Sequence, residues 1–456
     1  MNRLKQTMLL AGDLLVLYLS LFLSVSLRNF EIGKNSFSHL FPVLTPLYFF
    51  AAVVFFIIGL YDIGRLKNTW QFYQKIIYSA VIWFFVGIAY FYLVPSISVT
   101  PKTILVLNTF FGFGFIALWR AFCNRFLSHS IWKNNIVFVG LNPESAELIN
   151  ILEEEKSLGY EILGLVEKPE NVPNSIHLPV VEDLKSLAQN CKKSIHLIVI
   201  SPAFAGEPTF VKDLYGYLFQ QVQMVELAQF YEEILCRIPP ATFSEAWFLT
   251  NLHEQQKKMY DRFRILIDFS VAIFLGIIFL VTFPFIALAI KLTSKGPIFF
   301  IQTRVGRVNK NFRLYKYRTM KVLNSDGSAE TTGPQFASQN DPRITAVGTF
   351  LRRTRLDELP QFINILKNEM GLIGPRPERP EFAAQLTSKM PFYALRHLIK
   401  PGLTGWAQLH KAYYGTIDEN LRKLEYDLYY VKNRGFFTDI SIMLRTINIV
   451  VRMRGR

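Results

Sequence analysis

Cysteine is scarce in this chain, and acidic residues are outnumbered. Cys123, Cys191 and Cys236 are the three cysteines in 456 residues. They stand far apart, which excludes a disulfide framework and zinc-binding ligand pairs; they read as buried or idle thiols. Charged residues make up 19% and hydrophobic residues 51% of the chain. That is too apolar for an ordinary soluble enzyme and too charged for a purely polytopic bundle. No RNA- or DNA-binding motif is present, so no nucleic acid partner is expected. A dinucleotide fingerprint is also missing: glycine would be needed at positions 142 and 145, where Asn142 and Ser145 stand. The first apolar stretch lacks a small-residue cleavage site and is followed by further apolar stretches. It therefore reads as a retained span, not a signal peptide.

What is present is unevenly spread. From Lys257 onward there are 32 Lys and Arg against 15 Asp and Glu; the preceding residues hold 18 against 20. A basic half beside apolar segments suggests anionic partners such as phosphates and lipid headgroups. Four apolar segments come first, at about 8–27, 47–60, 76–93 and 104–122. Each approaches the roughly 20 residues a membrane helix needs. Arg3 and Lys5, then Arg65, Lys67 and Lys75, then Arg120, Arg125 and Lys133 mark three basic flanks. Lysine and arginine collect on the cytoplasmic side, so the N-terminus, the second connection and everything after the fourth segment are expected there.

Residues 133–251 read as an α/β domain. Ile136-Val-Phe-Val-Gly140 is a buried-strand run ending in glycine, a helical stretch follows, and 162–166 and 195–200 are further strands. Strands alternating with helices imply a parallel sheet. A fifth apolar stretch, 265–292, contains Pro284. Lys257, Lys258, Arg262 and Arg264 precede it, and Lys291, Lys295, Arg304 and Arg307 follow it. Basic residues at both ends place both ends on the cytoplasmic side. A helix that enters the membrane, bends at Pro284 and returns to the same face meets both conditions. The final segment, 439–456, reads as a basic helix in the headgroup plane or as a core-packed terminal helix.

Chemistry concentrates in the basic half. Residues 312–318 alternate like a strand, which places Lys316 and Arg318 on one face as candidate phosphate ligands. Further on stands Leu351-Arg-Arg-Thr-Arg-Leu-Asp-Glu-Leu-Pro360, followed by an apolar helical run over 362–370. Pro360 suits the first turn of that helix, with Asp357 and Glu358 at its positive end. The cations Arg352, Arg353 and Arg355 should keep a carboxylate ionised near neutral pH. Such a carboxylate can act as a nucleophile or a Mg²⁺ ligand. Gly371-Leu-Ile-Gly-Pro-Arg-Pro-Glu378 is a rigid turn that could aim Arg376, whose fork fits phosphate oxygens. Lys400-Pro-Gly-Leu-Thr-Gly-Trp406 is a second rigid loop with an aromatic available for stacking.

Taken in order, these motifs resemble the monotopic phosphoglycosyl transferases, the bacterial sugar transferases. The whole chain looks like their large subtype, the polyprenyl glycosylphosphotransferases of exopolysaccharide and O-antigen synthesis. The resemblance is strongest at 356–360 and 374–377 and weakest in the middle domain. It implies three regions: four transmembrane helices over 1–127, a Rossmann-like cytoplasmic α/β domain over 133–251, and a mostly helical catalytic domain over 257–456 with a re-entrant helix at 265–292. It further implies that Asp357 is the covalent nucleophile and binds Mg²⁺, that Glu358 supports it, and that Lys316, Arg352 and Arg376 are the basic substrate-binding positions. Many members carry Ser-Pro at the kink; this chain has Phe283-Pro284. The implied reaction moves a sugar-1-phosphate from a UDP-sugar to polyprenyl (undecaprenyl) phosphate and releases UMP. The implied location is the bacterial inner membrane with the catalytic domain on the cytoplasmic face, and a homodimer would be unsurprising. Two alternatives stand beside it: a non-catalytic scaffold or sensor for polysaccharide assembly, and a lipid-dependent glycosyltransferase that releases UDP.

Overall fold

The computed structural model describes residues 2–29, 34–62, 68–93, 102–127, 134–173, 176, 178–184, 186–187, 193–205, 216–217, 219, 222–240, 247–248, 251–252, 257–321, 341, 343–390, 392–410 and 416–451. Arg65, Lys67, Lys133, Cys191, Arg452, Arg454 and Arg456 lie outside the described residues. The chain divides into two compact units, Met1–Leu227 and Ala228–Arg456.

The first unit opens with four long helices: α1 (Asn2–Asn29), α2 (Lys34–Ile58), α3 (Trp70–Leu93) and α4 (Lys102–Leu127). All four are long and apolar enough to cross a membrane. Their apolar runs give each helix one face to bury, and the buried faces meet around Tyr48, Phe55, Trp83 and Phe113. Several of the polar groups inside are paired, which offsets the cost of burial in a low-dielectric interior. The Trp83 indole N–H donates to the Leu47 carbonyl (2.9 Å), and Asn108 Nδ2 donates to the Tyr48 hydroxyl (2.6 Å). Asp13 of α1 meets Arg120 of α4 with contacts of 3.0 and 2.5 Å.

The α/β part follows with five parallel strands: β1 (Asn134–Val139), β2 (Tyr160–Val166), β3 (Val180–Val181), β4 (Leu197–Ile200) and β5 (Gln223–Glu226), in the order β3-β2-β1-β4-β5. β1 lies centrally, Phe138 pairing with Leu165 on one side and Val199 on the other. Its almost wholly buried run reflects helices or loops on both faces of a parallel sheet. Helix α5 (Pro143–Glu154) starts one turn after β1. Pro143 stands in its first turn, and Asn142 and Ser145 cap it reciprocally. The two residues that spoil a glycine fingerprint are thus the residues that start the helix.

The second unit begins within α6 (Leu227–Leu235) and is dominated by α7 (Lys258–Thr293), a single 36-residue helix. At 1.5 Å per residue α7 is about 54 Å long, well beyond a hydrocarbon core of about 30 Å. Among the described residues it is the fifth helix long and apolar enough to cross a membrane. Pro284 lies inside it without ending it and faces outward. An antiparallel pair follows, β6 (Phe299–Val305) and β7 (Asn311–Tyr317), with Phe300 opposite Lys316. Then come α8 (Ala346–Arg353), a 3-10 segment (Leu356–Gln361) and α9 (Phe362–Leu366). The short strands β8 (Gly371–Ile373) and β9 (Gly402–Thr404) pair in parallel, with α10 (Pro380–Lys389) between them in sequence. α11 (Trp406–His410), α12 (Ile417–Asn433) and α13 (Phe436–Val451) complete the unit.

Two of the core clusters of this unit sit against α7. Ala272 joins Leu314, Ile365, Leu372, Tyr430 and Ile442, while Phe279 and Ile290 join Tyr317, Leu351 and Leu359. Phe279, Phe299 and Tyr317 stack with centroids 5.6–6.3 Å apart. Elsewhere α7 presents bare apolar side chains, among them Leu266, Phe274, Leu280, Phe285 and Leu292, each at least 60% exposed. Helix and strands therefore share one aromatic seam, and the dyad segment lies against it.

Candidate active site

Three chain segments deliver the dyad and its two nearest cations. β7 supplies Lys316, the 3-10 segment supplies Asp357 and Glu358, and the turn after β8 supplies Arg376. Asn364, fully buried, locks the first two together: its side-chain amide donates to the Arg313 carbonyl (2.6 Å) and its oxygen accepts the Tyr315 N–H (3.2 Å). Gly348 lets α8 pack against the end of β7, since a Cβ there would lie 2.0 Å from the Thr319 carbonyl oxygen. Thr345 caps α8 by accepting the Gly348 N–H, and Arg352 and Arg353 occupy its negative end.

The dyad does not stand at the start of an α-helix running to 370, as the sequence suggests. Leu356–Gln361 is a 3-10 turn with Pro360 inside it, and the α-helix after it has only five residues. The cause is local. Glu358 N–H bonds back to the Arg355 carbonyl, three residues earlier, and Pro360 has no N–H to extend an α-helical ladder. At the other end, Asn368 takes a left-handed conformation (φ 62°) and stops the helix. Arg355 is also left-handed (φ 57°), a sparsely populated conformation for a residue with a side chain. That turn brings Arg355 back over Glu358.

Glu358 is thereby enclosed by cations. Its Oε1 accepts from Lys316 Nζ and Arg376 Nη2, each at 2.8 Å, and its Oε2 meets Arg355 Nη1 at 3.3 Å. Burial alone would push its carboxyl up, but Arg376, Lys316 and Arg355 outweigh that and hold it well below the usual carboxylate range. Asp357, one residue earlier, makes no hydrogen bond or ion pair among the described residues. Burial raises its carboxyl to about 6, and the Glu358 charge adds to this; Lys316, Arg352 and Arg376 pull the other way. Glu358 is thus the carboxylate that neighbouring cations hold down, while Asp357 moves in the opposite direction. Neighbouring acids pushed apart in this way take different chemical roles.

The other candidates fall into place around this pair. Arg376 is 38% exposed at its side chain, so part of its fork stays open to a ligand. Arg352 Nε donates to Thr319 Oγ1 (2.9 Å), and its charge reaches Asp357. Arg318 is not brought to the dyad: its guanidinium caps the end of α7, donating to the Ser294 and Lys295 carbonyls at 2.8 Å. The Lys400 loop closes on the Arg376 turn; a Cβ on Gly402 would lie 2.1 Å from the Gly374 nitrogen. Trp406 stacks on Tyr429 and donates to the Cys236 carbonyl. One residue of the site was not singled out from sequence, and one that was takes a turn the sequence did not announce. Asn364 could have been noticed as an amide within an apolar run. Nothing local marked the left-handed turn of Arg355.

No group of three or more His, Cys, Asp or Glu side chains able to hold a metal occurs among the described residues. Mg²⁺ commonly takes one or two carboxylates together with substrate phosphates and water. A single unpaired carboxylate beside open cationic donors fits that mode, and Asp357 is the residue that would hold the ion.

Comparison with known sequences agrees with this geometry. The family model described as bacterial sugar transferase matches residues 259–453, the segment that carries all of these groups. The UDP-N-acetylgalactosamine-undecaprenyl-phosphate N-acetylgalactosaminephosphotransferase of Aeromonas hydrophila is 45% identical over 165 residues; the match covers 36% of this chain and only 38% of that relative. The UDP-glucose:undecaprenyl-phosphate glucose-1-phosphate transferase of Klebsiella pneumoniae is 28% identical over 96% of this chain and 93% of its own length. A Bacillus subtilis relative named for undecaprenyl-phosphate N-acetylgalactosaminyl 1-phosphate transfer is 40% identical over 140 residues, 72% of its length. With its two carboxylates and their surrounding cations inside the matched segment, the chain belongs to the bacterial sugar transferase family.

Proposed function

We propose that the protein transfers a sugar-1-phosphate from a UDP-sugar to polyprenyl phosphate, such as undecaprenyl phosphate, and releases UMP. The observation that carries the reading is the division of labour in the dyad: Glu358 is held by three cations and Asp357 is left free. An Asp357 carboxylate oxygen attacks the sugar-bearing phosphorus of the donor. A phosphorus–oxygen bond forms to Asp357, the bond to UMP breaks, and UMP leaves with that electron pair. An oxygen of polyprenyl phosphate then attacks the same phosphorus, freeing the Asp357 carboxylate and leaving polyprenyl diphosphate-sugar. Phosphoryl transfer depends mainly on positioning and charge neutralisation, and Lys316, Arg352 and Arg376 supply both. Mg²⁺ held at Asp357 would add further charge neutralisation on the donor diphosphate. Glu358, itself neutralised, orients Lys316 and Arg376. The relatives act on different sugars by name, so the transferred sugar is left to assay.

The expected result is that Asp357→Asn releases no UMP from a UDP-sugar in the absence of lipid, whereas wild type releases up to one equivalent. Intact-protein mass spectrometry should find the phosphosugar on the wild-type chain alone. Release of UDP in place of UMP would favour a glycosyltransferase, and full activity of Asp357→Asn would remove the nucleophile assignment.

The same reading places the protein in the bacterial inner membrane, with the second unit on the cytoplasmic face. Helix α7 then enters the membrane and returns to the same side. Its packing supports this: Arg264 near one end and Ile290 near the other both join the folded body of the same unit. A helix crossing to the far side could not keep both contacts. Pro284 is the natural place for a bend when lipid is present. A cysteine at Lys295 should therefore resist an impermeant thiol reagent applied outside intact cells; rapid labelling there would mean a full crossing. In the first unit, the strand order and the β1–α5 turn support a Rossmann-like reading of the α/β domain.

A further inference from the structure

Helix α7 does more than present an apolar face. Near its start, two charged residues one turn apart, Arg264 and Asp268, point inward and are buried, 9% and 7% exposed. Both bond to the backbone of β8. Asp268 Oδ1 accepts the Leu372 N–H at 3.1 Å, and Arg264 Nη2 donates to the Ile373 carbonyl. The pair is itself anchored. Arg264 lies 3.9 Å from Asp439 of α13, which accepts the Tyr430 hydroxyl at 2.7 Å and the Tyr260 hydroxyl at 2.5 Å.

β8 leads into the site within three residues. After Ile373 come Gly374, Pro375 and Arg376. Gly374 N–H donates to the Thr404 carbonyl at 2.8 Å, and the Pro375 carbonyl accepts the Gly402 N–H at 3.0 Å. Arg396 Nη2 then donates to the Arg376 carbonyl at 2.8 Å, so the turn is gripped on both sides of the arginine. There is little slack between the Leu372 amide and the guanidinium that reaches Glu358.

We propose that Arg264 and Asp268 are positioning residues for Arg376, carrying the placement of the lipid-facing helix α7 through β8 into the site. They touch no reacting atom; they act through the strand. The inference rests on the functional reading above, which it deepens: a helix seated in lipid becomes a reference point for one of the phosphate-binding cations. An ångström of misplacement at such a group costs up to about a hundredfold in rate.

The test uses the full-length protein in lipid nanodiscs. Two variants loosen the tie in different ways. Asp268→Ala removes the acceptor for Leu372. Gly371→Ala keeps every charge and drives a wedge between the helix and the strand, since its Cβ would lie 2.9 Å from Asp268 Oδ2 and 3.1 Å from Arg264 Nη2. Hydrogen exchange is read first and needs no turnover. The amides of Leu372, Ile373, Gly374 and Arg376 should exchange at least about tenfold faster in both variants, with the Tyr315 amide unchanged as control. Asp268→Asn, which keeps an acceptor oxygen, should restore most of the protection. In the assay of UMP release, Asp268→Ala and Gly371→Ala should each lose on the order of tenfold to a hundredfold in turnover with little change in donor KM. Adding Asp268→Ala to Arg376→Ala should then change the rate by less than about twofold. Unaltered exchange in both variants overturns the tie between helix and strand. Faster exchange with effects that multiply in the double variant overturns the positioning of Arg376. Absence of UMP release by wild type defeats the functional reading instead, and the exchange result still decides the structural tie.

Discussion

The two units each bury an ionic cluster, and the clusters differ in what they leave unused. In the helical bundle, Arg120 and Asp13 are 1% and 2% exposed at their side chains. Arg120 Nη1 also donates to the Leu60 carbonyl, and Asp13 Oδ2 also accepts the Tyr61 hydroxyl, each at 3.0 Å. That cluster is closed. In the second unit, Glu358 is as well surrounded, yet Asp357 beside it has no bonding partner among the described residues and Arg376 keeps an open face. Burial and charge are common to both places. Only the second retains an ionisable oxygen and a cation that a ligand can reach, and that remainder marks a site for chemistry.

The contrast breaks most easily at the closed cluster. Arg120→Leu leaves the Asp13 carboxylate buried without its counter-charge. Removing one partner of a buried pair costs about 3–5 kcal/mol. The expected result is a large fall in the amount of folded protein recovered from membranes, with normal UMP release per folded molecule. A variant recovered at wild-type levels would mean that lipid or water already solvates the pair. Loss of turnover at full recovery would mean that the bundle cluster takes part in the reaction.

The contrast was only partly legible in the sequence. Long apolar runs announced α1, α2, α3, α4 and α7, because each needs about 20 residues with few charges. The parallel sheet was legible from the buried runs of β1, β2 and β4. β3 and β5 were not, one being two residues long and the other exposing Gln223 and Glu226. The dyad and Arg376 were legible as motifs, since Asp-Glu and Gly-Pro-Arg-Pro are conspicuous side by side. Hidden were the opposite fates of Asp357 and Glu358. They depend on which acid Arg355 folds back upon, and a left-handed backbone turn decides that. Arg318 shows the same limit: alternation put it beside Lys316, but it lies just past the end of β7 and turns to the helix carbonyls. Periodicity assigns a face only where a strand continues.

A smaller effect sharpens the comparison from the open side. The Asp357 carboxyl is raised to about 6, so in the proposed reaction it would have to lose its proton before attacking phosphorus. Donor-dependent UMP release, measured without lipid, should rise with pH through about 6 and level off above 7. From pH 7 down to pH 5 the ionised fraction falls roughly tenfold. Glu358, held far below this range, contributes no second step there. The sign for stability is the reverse. A carboxyl with a raised folded-state value favours the protonated protein, so Asp357 destabilises the fold progressively as pH rises from the unfolded value towards 6. Asp357→Asn should therefore melt no lower than wild type at pH 7.5 while losing the reaction. A flat rate profile between pH 5 and 7 would show that Asp357 is already ionised at the low end, paired with a cation as Glu358 is, and the distinction between the closed and the open cluster would fail.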